Sequence, residues 1–310
     1  MQSSAHASAF TAQTRLRDQS PLVRTLRRLA GNRSAQVGAL IIGALLLVAI
    51  FADVIAPYEY DQQIRQPGLR RRSPPCIHLL GCDPQKPQVL MGLDSNFRDL
   101  FSRVVYGARL SLQIGFLTTG AAILIGTLLG AIAGYAGGWL DNFIMRLMDV
   151  LLAFPSLLLA IAIVSVLGPG LVNTLLAVAF VSIPVYARVV RSSVLSVKEM
   201  DYITASRALG ASSARILFVR ILPNALTPVI VVGTLGIATA ILDAAGLSFL
   251  GLGAQPPTPE WGLMLGEERN SVFNAPHLVF FPGIAIMLTV LGFNLLGDGL
   301  RDALDPRRRA

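Results

Sequence analysis

Lysine is almost absent from this 310-residue chain, histidine occurs three times and cysteine twice, and each shortage removes a class of chemistry. No glycine directly precedes a lysine, so the phosphate-cradling loop with its lysine is missing, and the chain does not hydrolyse ATP by that route. His6, His78 and His277 form no His-Glu-x-x-His pattern, which leaves a zinc protease without its ligands. No local motif assembles serine, histidine and aspartate into a hydrolytic triad. No catalytic residue and no cofactor bound by this chain are therefore expected. Charge is also scarce: 14% of residues are Asp, Glu, Lys or Arg, against roughly 25% in a soluble domain. With 53% hydrophobic residues and a mean hydropathy of +0.61, one water-soluble core cannot hide the apolar side chains, so lipid must be part of the solvent. The net charge of +8 comes almost wholly from arginine, because Lys86 and Lys198 are the only lysines. A basic balance can signal nucleic acid. In so apolar a chain it reads as anchoring to an anionic cytoplasmic leaflet, with no nucleic-acid partner.

Uncharged runs mark the membrane spans. Residues 35–56 are apolar up to Asp53 and Pro57, and Leu110–Gly134 carries no charge. Val150–Ala187 is also uncharged but too long for one helix of about 20 residues. Gly168-Pro169-Gly170 divides it into a hairpin of two spans, because both residue types oppose helix continuation. Ala225–Leu247 and Leu278–Leu296 complete a set of six. The runs are too long and continuous for tilted barrel strands, so the fold is an all-α integral membrane protein. The first span follows a long Arg-rich tail and shows no cleavage site, which fits a retained anchor rather than a signal peptide.

Arginines near the span ends set the orientation. Arg24, Arg27, Arg28 and Arg33 precede the first span; Arg188, Arg191, Lys198, Arg207, Arg215 and Arg220 follow the fourth; Arg301, Arg307, Arg308 and Arg309 follow the sixth. Six spans put these three regions on one side, which the arginines assign to the cytoplasm of a cell membrane. The expected organisation is a cytoplasmic tail at 1–34, a first span at 35–56, an extracytoplasmic loop at 57–109, a core at 110–300 and a cytoplasmic tail at 301–310. Arg70-Arg71-Arg72 in the 57–109 loop run against this assignment, although long loops cross with weaker regard for charge. Cys76 and Cys82 lie in the same loop with His78 between them. A short disulfide, a three-ligand metal site and two unpaired thiols all fit the spacing. The disulfide is carried forward as the candidate, and no metal site is assigned.

Between two apolar spans stands a polar, basic stretch, Asp201–Pro223, DYITASRALGASSARILFVRILP. Glu199 and Asp201 sit where a helix would begin, and Gly210 provides a stop or sharp bend. A second helical run is expected over Ser212–Ile221, ended by Leu222-Pro223 because proline cannot continue the ladder. This helix–bend–helix, within a segment 191–223, reads equally as a docking element or as an interfacial linker. Asp243, with Thr239 one turn earlier, is the one carboxylate deep in a span. Intramembrane charge faces a bundle interior or a water-filled path, so Asp243 is a candidate path residue or one half of a structural pair. Gly126, Gly130 and Gly134 recur at every fourth position, and packing within the chain is the expected use.

The stretch resembles the coupling motif of permeases of ATP-binding-cassette (ABC) importers: Glu-Ala-Ala, three residues, Gly, nine residues, Ile-x-Leu-Pro. Thr204, Ala205 and Ser206 stand at the Glu-Ala-Ala positions, followed at the same spacing by Gly210, Arg220, Leu222 and Pro223. Thr, Ser and Arg replace the motif's Glu, second Ala and Ile. Further segments, LFSRVVYGARLSL from Leu100, GGWLDNFIMRLMDVLLAFPSLLLAIA from Gly137, LSFLGLG from Leu247, PPTPEWGL from Pro256 and GDGLRDALDP from Gly297, are similar to the dipeptide, oligopeptide and nickel importer group. The extra first helix suits that group's C-type subunit. Met91–Asp94 takes the place of the group's Leu-Gly-Thr-Asp, Phe97 replaces its usual Gly, and about 25 residues with both cysteines are inserted upstream.

The resemblance implies a five-helix permease core plus one N-terminal helix. It implies a second homologous permease subunit, two cytoplasmic ABC ATPases that use ATP and magnesium, and an extracytoplasmic solute-binding protein. Thr204, Ala205, Ser206, Gly210, Leu222 and Pro223 would couple this chain to an ATPase, and the cargo would be di- or oligopeptides or a related small solute. A secondary transporter or channel working without an ATPase is the competing class, and a membrane-embedded enzyme is a third. Co-purification with an ATPase separates the first from both.

Overall fold

The computed structural model describes residues 29–304, so the tail arginines 24, 27, 28 and 307–309 lie outside the described residues. The regular elements are helices: α1 Arg33–Ile50, α2 Leu100–Ala136, α3 Gly138–Leu152, α4 Ser156–Leu167, α5 Leu171–Lys198, α6 Asp201–Ala208, α7 Thr227–Phe249, α8 Trp261–Glu268 and α9 His277–Leu304, with shorter helical turns between them. Five of them, α1, α2, α5, α7 and α9, are long and apolar enough to cross a membrane. The third expected span is divided. Helices α3 and α4 meet at an 89° bend, so the count is six only if this pair forms one span. Pro155 explains the break: it holds φ −56° and ψ 126° ahead of α4, and its ring disfavours helix at Phe154. Pro184, by contrast, lies within an uninterrupted α5.

Two expected boundaries move. Helix α2 begins at Leu100, capped by the Asp99 carboxylate, so it already includes the last ten residues assigned to the loop at 57–109. Helix α5 runs to Lys198 and takes in the start of the segment 191–223. Glu199 closes α5 rather than opening α6. The hairpin between α4 and α5 turns at Gly168 and Gly170, where Asn173 Nδ2 donates to the carbonyls of Leu167 (3.0 Å) and Gly168 (2.9 Å). These bonds satisfy carbonyls that a helix end leaves open.

Small residues set the closest approach in the bundle. Gly126, Gly130 and Gly134 form a stripe on α2 against α5, where a Cβ on Gly126 would lie 2.7 Å from Tyr186 Cβ and one on Gly134 would lie 3.0 Å from the Arg191 carbonyl. The stripe therefore serves packing within the chain. Gly38 does the same for α1 against α9, with the Leu296 nitrogen 2.6 Å from where its Cβ would stand. Asn32 donates to Asp302 at 3.2 Å, which sets the start of α1 beside the end of α9. Lys198 Nζ donates to the Tyr135 carbonyl at 2.8 Å, which sets the end of α5 beside the end of α2. One end of the bundle thus carries the segment after α5, and the opposite end carries residues 57–99.

Residues 57–99 form a small lobe. Isolated antiparallel bridges join Gln63 to Arg98, Cys76 to Val89 and Leu93 to Asp99, around a cluster of Ile64, Cys76, Val89 and Leu93. Cys76 and Cys82 form a disulfide with Cα atoms 5.4 Å apart. His78 turns away from the sulfurs and bonds through Nε2 to the Lys86 carbonyl at 2.8 Å.

The lobe is tied to α2 and α8 by buried charge. Arg103, 1% exposed, reaches Asp94 (3.7 Å) and Glu267 (3.5 Å) and donates to the Pro257 carbonyl (3.0 Å). Arg98 bridges Asp94 (2.5 Å) and Glu267 (3.2 Å), and Arg72 meets Glu268 at 2.9 Å. Arg65 and Arg71 stand 5.9 and 5.8 Å from the ring centre of Phe97, whose φ of +62° occupies the region a glycine prefers. The run Arg70-Arg71-Arg72 is thus part of the lobe's own construction. Burial alone would raise Glu268, but hydrogen bonds from Ser95, Arg72 and Ser271 outweigh it and hold the carboxyl below its ordinary value.

Two expectations follow from this packing. Gly130→Ala would press a methyl onto the Ala187 carbonyl and force α2 from α5, costing about 1–3 kcal/mol. Gly120, with nothing within 4 Å of its Cβ position, is the control. Thermal unfolding in detergent should show a lower Tm for Gly130→Ala and not for Gly120→Ala. Because the Glu268 pKa is lowered on folding, its contribution is complete above the unfolded value near 4.5 and disappears as pH falls through the folded value. The Tm gap between the native chain and Glu268→Gln should therefore be widest near pH 7 and close in acid; a gap that widens in acid would contradict the assignment.

Candidate functional site

Helix α6 is held by one side chain and otherwise presented to its surroundings. Within α6 only Ile203 is buried, at 0% exposure, against Ile216, Ile221 and Val197. Asp201 lies in the first turn and Arg207 in the last, each at the end its charge favours. The helix closes with two nested capping hydrogen bonds: Gly210 N–H donates to the Arg207 carbonyl (3.0 Å) and Ala211 N–H to the Ser206 carbonyl (3.1 Å). This cap needs a left-handed residue, and Gly210 supplies it at φ +78°. No neighbour lies within 4 Å of a Cβ built there, so the backbone conformation alone demands glycine.

The second limb differs from the expected helix. Ser212 caps a single turn, Ser213–Arg215, which passes into a π-helix at Ile216–Ile221 and then into helical Leu222–Ala225. Leu222-Pro223 therefore does not end the helical path. The π register gives the Leu222 N–H to the Leu217 carbonyl, and Pro223 falls in the first turn of the next piece, where no donor is lost. Pro228 repeats the arrangement at the start of α7.

Of the residues singled out by sequence, Thr204 and Ala205 are exposed on α6, and Ser206 and Gly210 border a shallow depression with Leu209, Ala211, Arg215 and Arg220. Leu222 and Pro223 stand on the second limb, Leu222 packing against the cluster around Ile203. Three contributors were not singled out: the anchor Ile203, Leu209 at 88% exposure, and Tyr202, whose hydroxyl accepts from Asn224 Nδ2 at 3.3 Å and joins the two limbs. Ile203, Ile216 and Ile221 stand 13 and 5 residues apart, which matches no α-helical face, so neither the anchor nor the π turn had a local sequence signal. The result is a knob, fixed at its base by Ile203, with Thr204, Ala205, Arg207 and Leu209 exposed beyond it.

Asp243 lies on α7 between two packing faces. Ala238, Ile241 and Ala245 join the cluster around Trp261, and Ala240 and Leu247 join the one around Val178. Thr239 and Leu242 are exposed and Asp243 is half-buried, so this side of α7 is open. Asp243 makes no ion pair or hydrogen bond among the described residues. Asp149 pairs with Arg188, and Asp141 meets Arg191 at 2.5 Å.

The profile described as "Binding-protein-dependent transport system inner membrane component" matches residues 126–310, more than half of the chain, and that of the "N-terminal TM domain of oligopeptide transport permease C" matches residues 20–75. The dipeptide transport system permease protein DppC of Alkalihalophilus pseudofirmus is 50% identical over 94% of this chain and 91% of its own length. The di/tripeptide permease DppC of Pseudomonas aeruginosa is 47% identical over 93% of both. The glutathione permease GsiD of Pectobacterium atrosepticum is 45% identical over 92% of this chain and 90% of its own. Among solved structures, an inward-facing MetNI methionine ABC transporter chain matches 66% of this chain and 97% of its own with a TM-score of 0.55 and 19% identity, a likeness of fold alone. The helical bundle and these matches agree: the chain belongs to the binding-protein-dependent transport system inner membrane component family and is a multi-pass permease subunit of an ABC importer, in which hydrolysis of ATP falls to partner subunits.

Proposed function

We propose that this chain is the C-type permease of an importer of short peptides, pairing with a second, related permease above two cytoplasmic ATPases and receiving cargo from an extracytoplasmic solute-binding protein. The substrate class rests on the relatives named for dipeptides, di/tripeptides and glutathione, itself a tripeptide. The knob is the observation that carries the coupling role. It projects from one end of the bundle, and its base, Ile203, is packed against the ends of α5 and the π turn that leads into α7. A push on α6 thus reaches two spanning helices directly.

In this reading Thr204, Ala205 and Ser206 enter a groove on one ATPase, Gly210 fixes the angle at which they do so, and Leu222 and Pro223 lead the motion into α7. ATP-driven closure of the ATPase pair then favours one bundle arrangement over the other, because the knob makes different contacts in each. The knob end carries Arg188, Arg191, Lys198, Arg207, Arg215 and Arg220, which supports a cytoplasmic side for it and, with six spans, for the tails 1–34 and 301–310. The disulfide-bonded lobe then faces the binding protein, and Asp243 lines the path through the core at 110–300.

Gly210→Pro removes the bond to Arg207 and excludes the φ of +78°. In proteoliposomes with all partners, peptide uptake should fall at least about tenfold, within the usual range of a coupling free energy, while the amount of chain in the membrane is unchanged. Uptake and ATP hydrolysis at native levels would remove the coupling role from this bend.

A further inference from the structure

Charges placed in the spanning helices are otherwise partnered or lie at helix ends. Arg103 is held by the lobe network, and Arg109 meets Asp53 at 2.9 Å. Arg188 and Arg191 pair with α3, and Lys198 donates to the Tyr135 carbonyl. Asp298 and Arg301 are exposed in the last turns of α9. Asp243 alone is half-buried, inside a span and without a partner among the described residues, about 9 Å from the lobe end of α7 at 1.5 Å per residue.

A carboxylate left in that position costs several kcal/mol unless a cation or water meets it. Among the described residues no cation or donor bonds to it. Thr239, one turn earlier on the same open side, spends its hydroxyl on a long bond to the Leu235 carbonyl (3.5 Å), which leaves its oxygen lone pairs free to accept. On this open side Asp243 and Thr239 both present acceptor oxygens. Such a pair selects positive groups and repels anions. A short peptide carries one suitable group whatever its side chains, the α-ammonium.

We infer that Asp243, with Thr239 beside it, is a cation-recognising station on the transport path that takes the α-ammonium group of the passing peptide. The inference rests on the importer reading for the identity of the cargo. It adds a chemical selectivity that belongs to the permease itself. The carboxylate would accept two of the ammonium's three donors, and Thr239, one turn earlier on α7, would offer an acceptor for the third.

Thiol modification in the assembled complex of permeases and ATPases in nanodiscs, without the binding protein, tests it. Cys76 and Cys82 are joined as a disulfide, so Thr239→Cys introduces the free thiol in this chain. Trimethylammonium-ethyl and sulfonatoethyl methanethiosulfonate, of similar size and opposite charge, are compared by mass spectrometry at position 239. With Asp243 present the cationic reagent should gain at least about tenfold over the anionic one, relative to their rates with a free thiol. With Asp243→Asn added, that gain should vanish. A dipeptide should slow the cationic reagent, and its N-acetylated form should not. Equal preference in both variants would mean that Asp243 is neutral or neutralised by a partner's cation, and would overturn the inference. Failure of either reagent to reach position 239 would overturn it as well, because the face would then be covered. ATP-driven uptake by the unsubstituted importer tests the cargo reading separately: loss of the charge preference with uptake intact removes the station and leaves the importer.

Discussion

A bilayer offers no water to an unpaired charge or backbone donor, and this chain's arrangement follows from that demand. Charge is kept to the two ends of the bundle. At the lobe end, Arg98 and Arg103 share Asp94 and Glu267, so residues 57–99 are bound to α2 and α8 through groups that cannot be exposed singly without cost. At the knob end, Arg191 and Arg188 bind the amphipathic α3 to α5. Between the ends, contact is made by small residues: the glycine stripe on α2 brings backbone against backbone where a polar side chain would need a partner. Asp243 breaks this order: it is half-buried within α7 and has no partner among the described residues, which is what motivates the proposed cation station.

The same constraint made much of the fold legible in sequence. Uncharged runs located the spanning helices because lipid tolerates little else, and the Gly-Pro-Gly between residues 168 and 170 marked the hairpin because neither residue type continues a helix. The bend at Gly210 was visible for the same kind of local reason: its φ of +78° is open to few residues besides glycine. What stayed hidden depended on geometry beyond local propensity. The π turn at Ile216–Ile221 has no composition signal, and it converts Leu222-Pro223 from a terminator into the start of the next helical piece. The 89° bend at Pro155 divides an uncharged run that reads as continuous, since periodicity does not encode an angle. The start of α2 at Leu100 was obscured because Arg103 and Arg109 look like loop charges until their partners in the lobe and beside α1 are known.

Within the proposed mechanism, the knob's construction separates two tasks. Ile203 and its neighbours make the base stiff, so displacement is transmitted, while the exposed Ala205 and Leu209 leave the tip free to fit a partner. The departures at Thr204 and Ser206 from the family motif fall on this free face and on the border of the depression, and leave the cap at Gly210 and the anchor intact.

The central claim is that this knob is where the permease meets its ATPase. With the chain's two natural cysteines engaged in a disulfide, Ala205→Cys gives a thiol at the knob tip and Leu79→Cys gives one on the lobe at the opposite end. Short-span cross-linking of the purified importer, read by mass spectrometry, compares them directly. Position 205 should give adducts to an ATPase subunit, changed in yield by ATP, and position 79 should give no ATPase adduct. Adducts from position 205 to the solute-binding protein, or none to an ATPase in any nucleotide state, would contradict that claim.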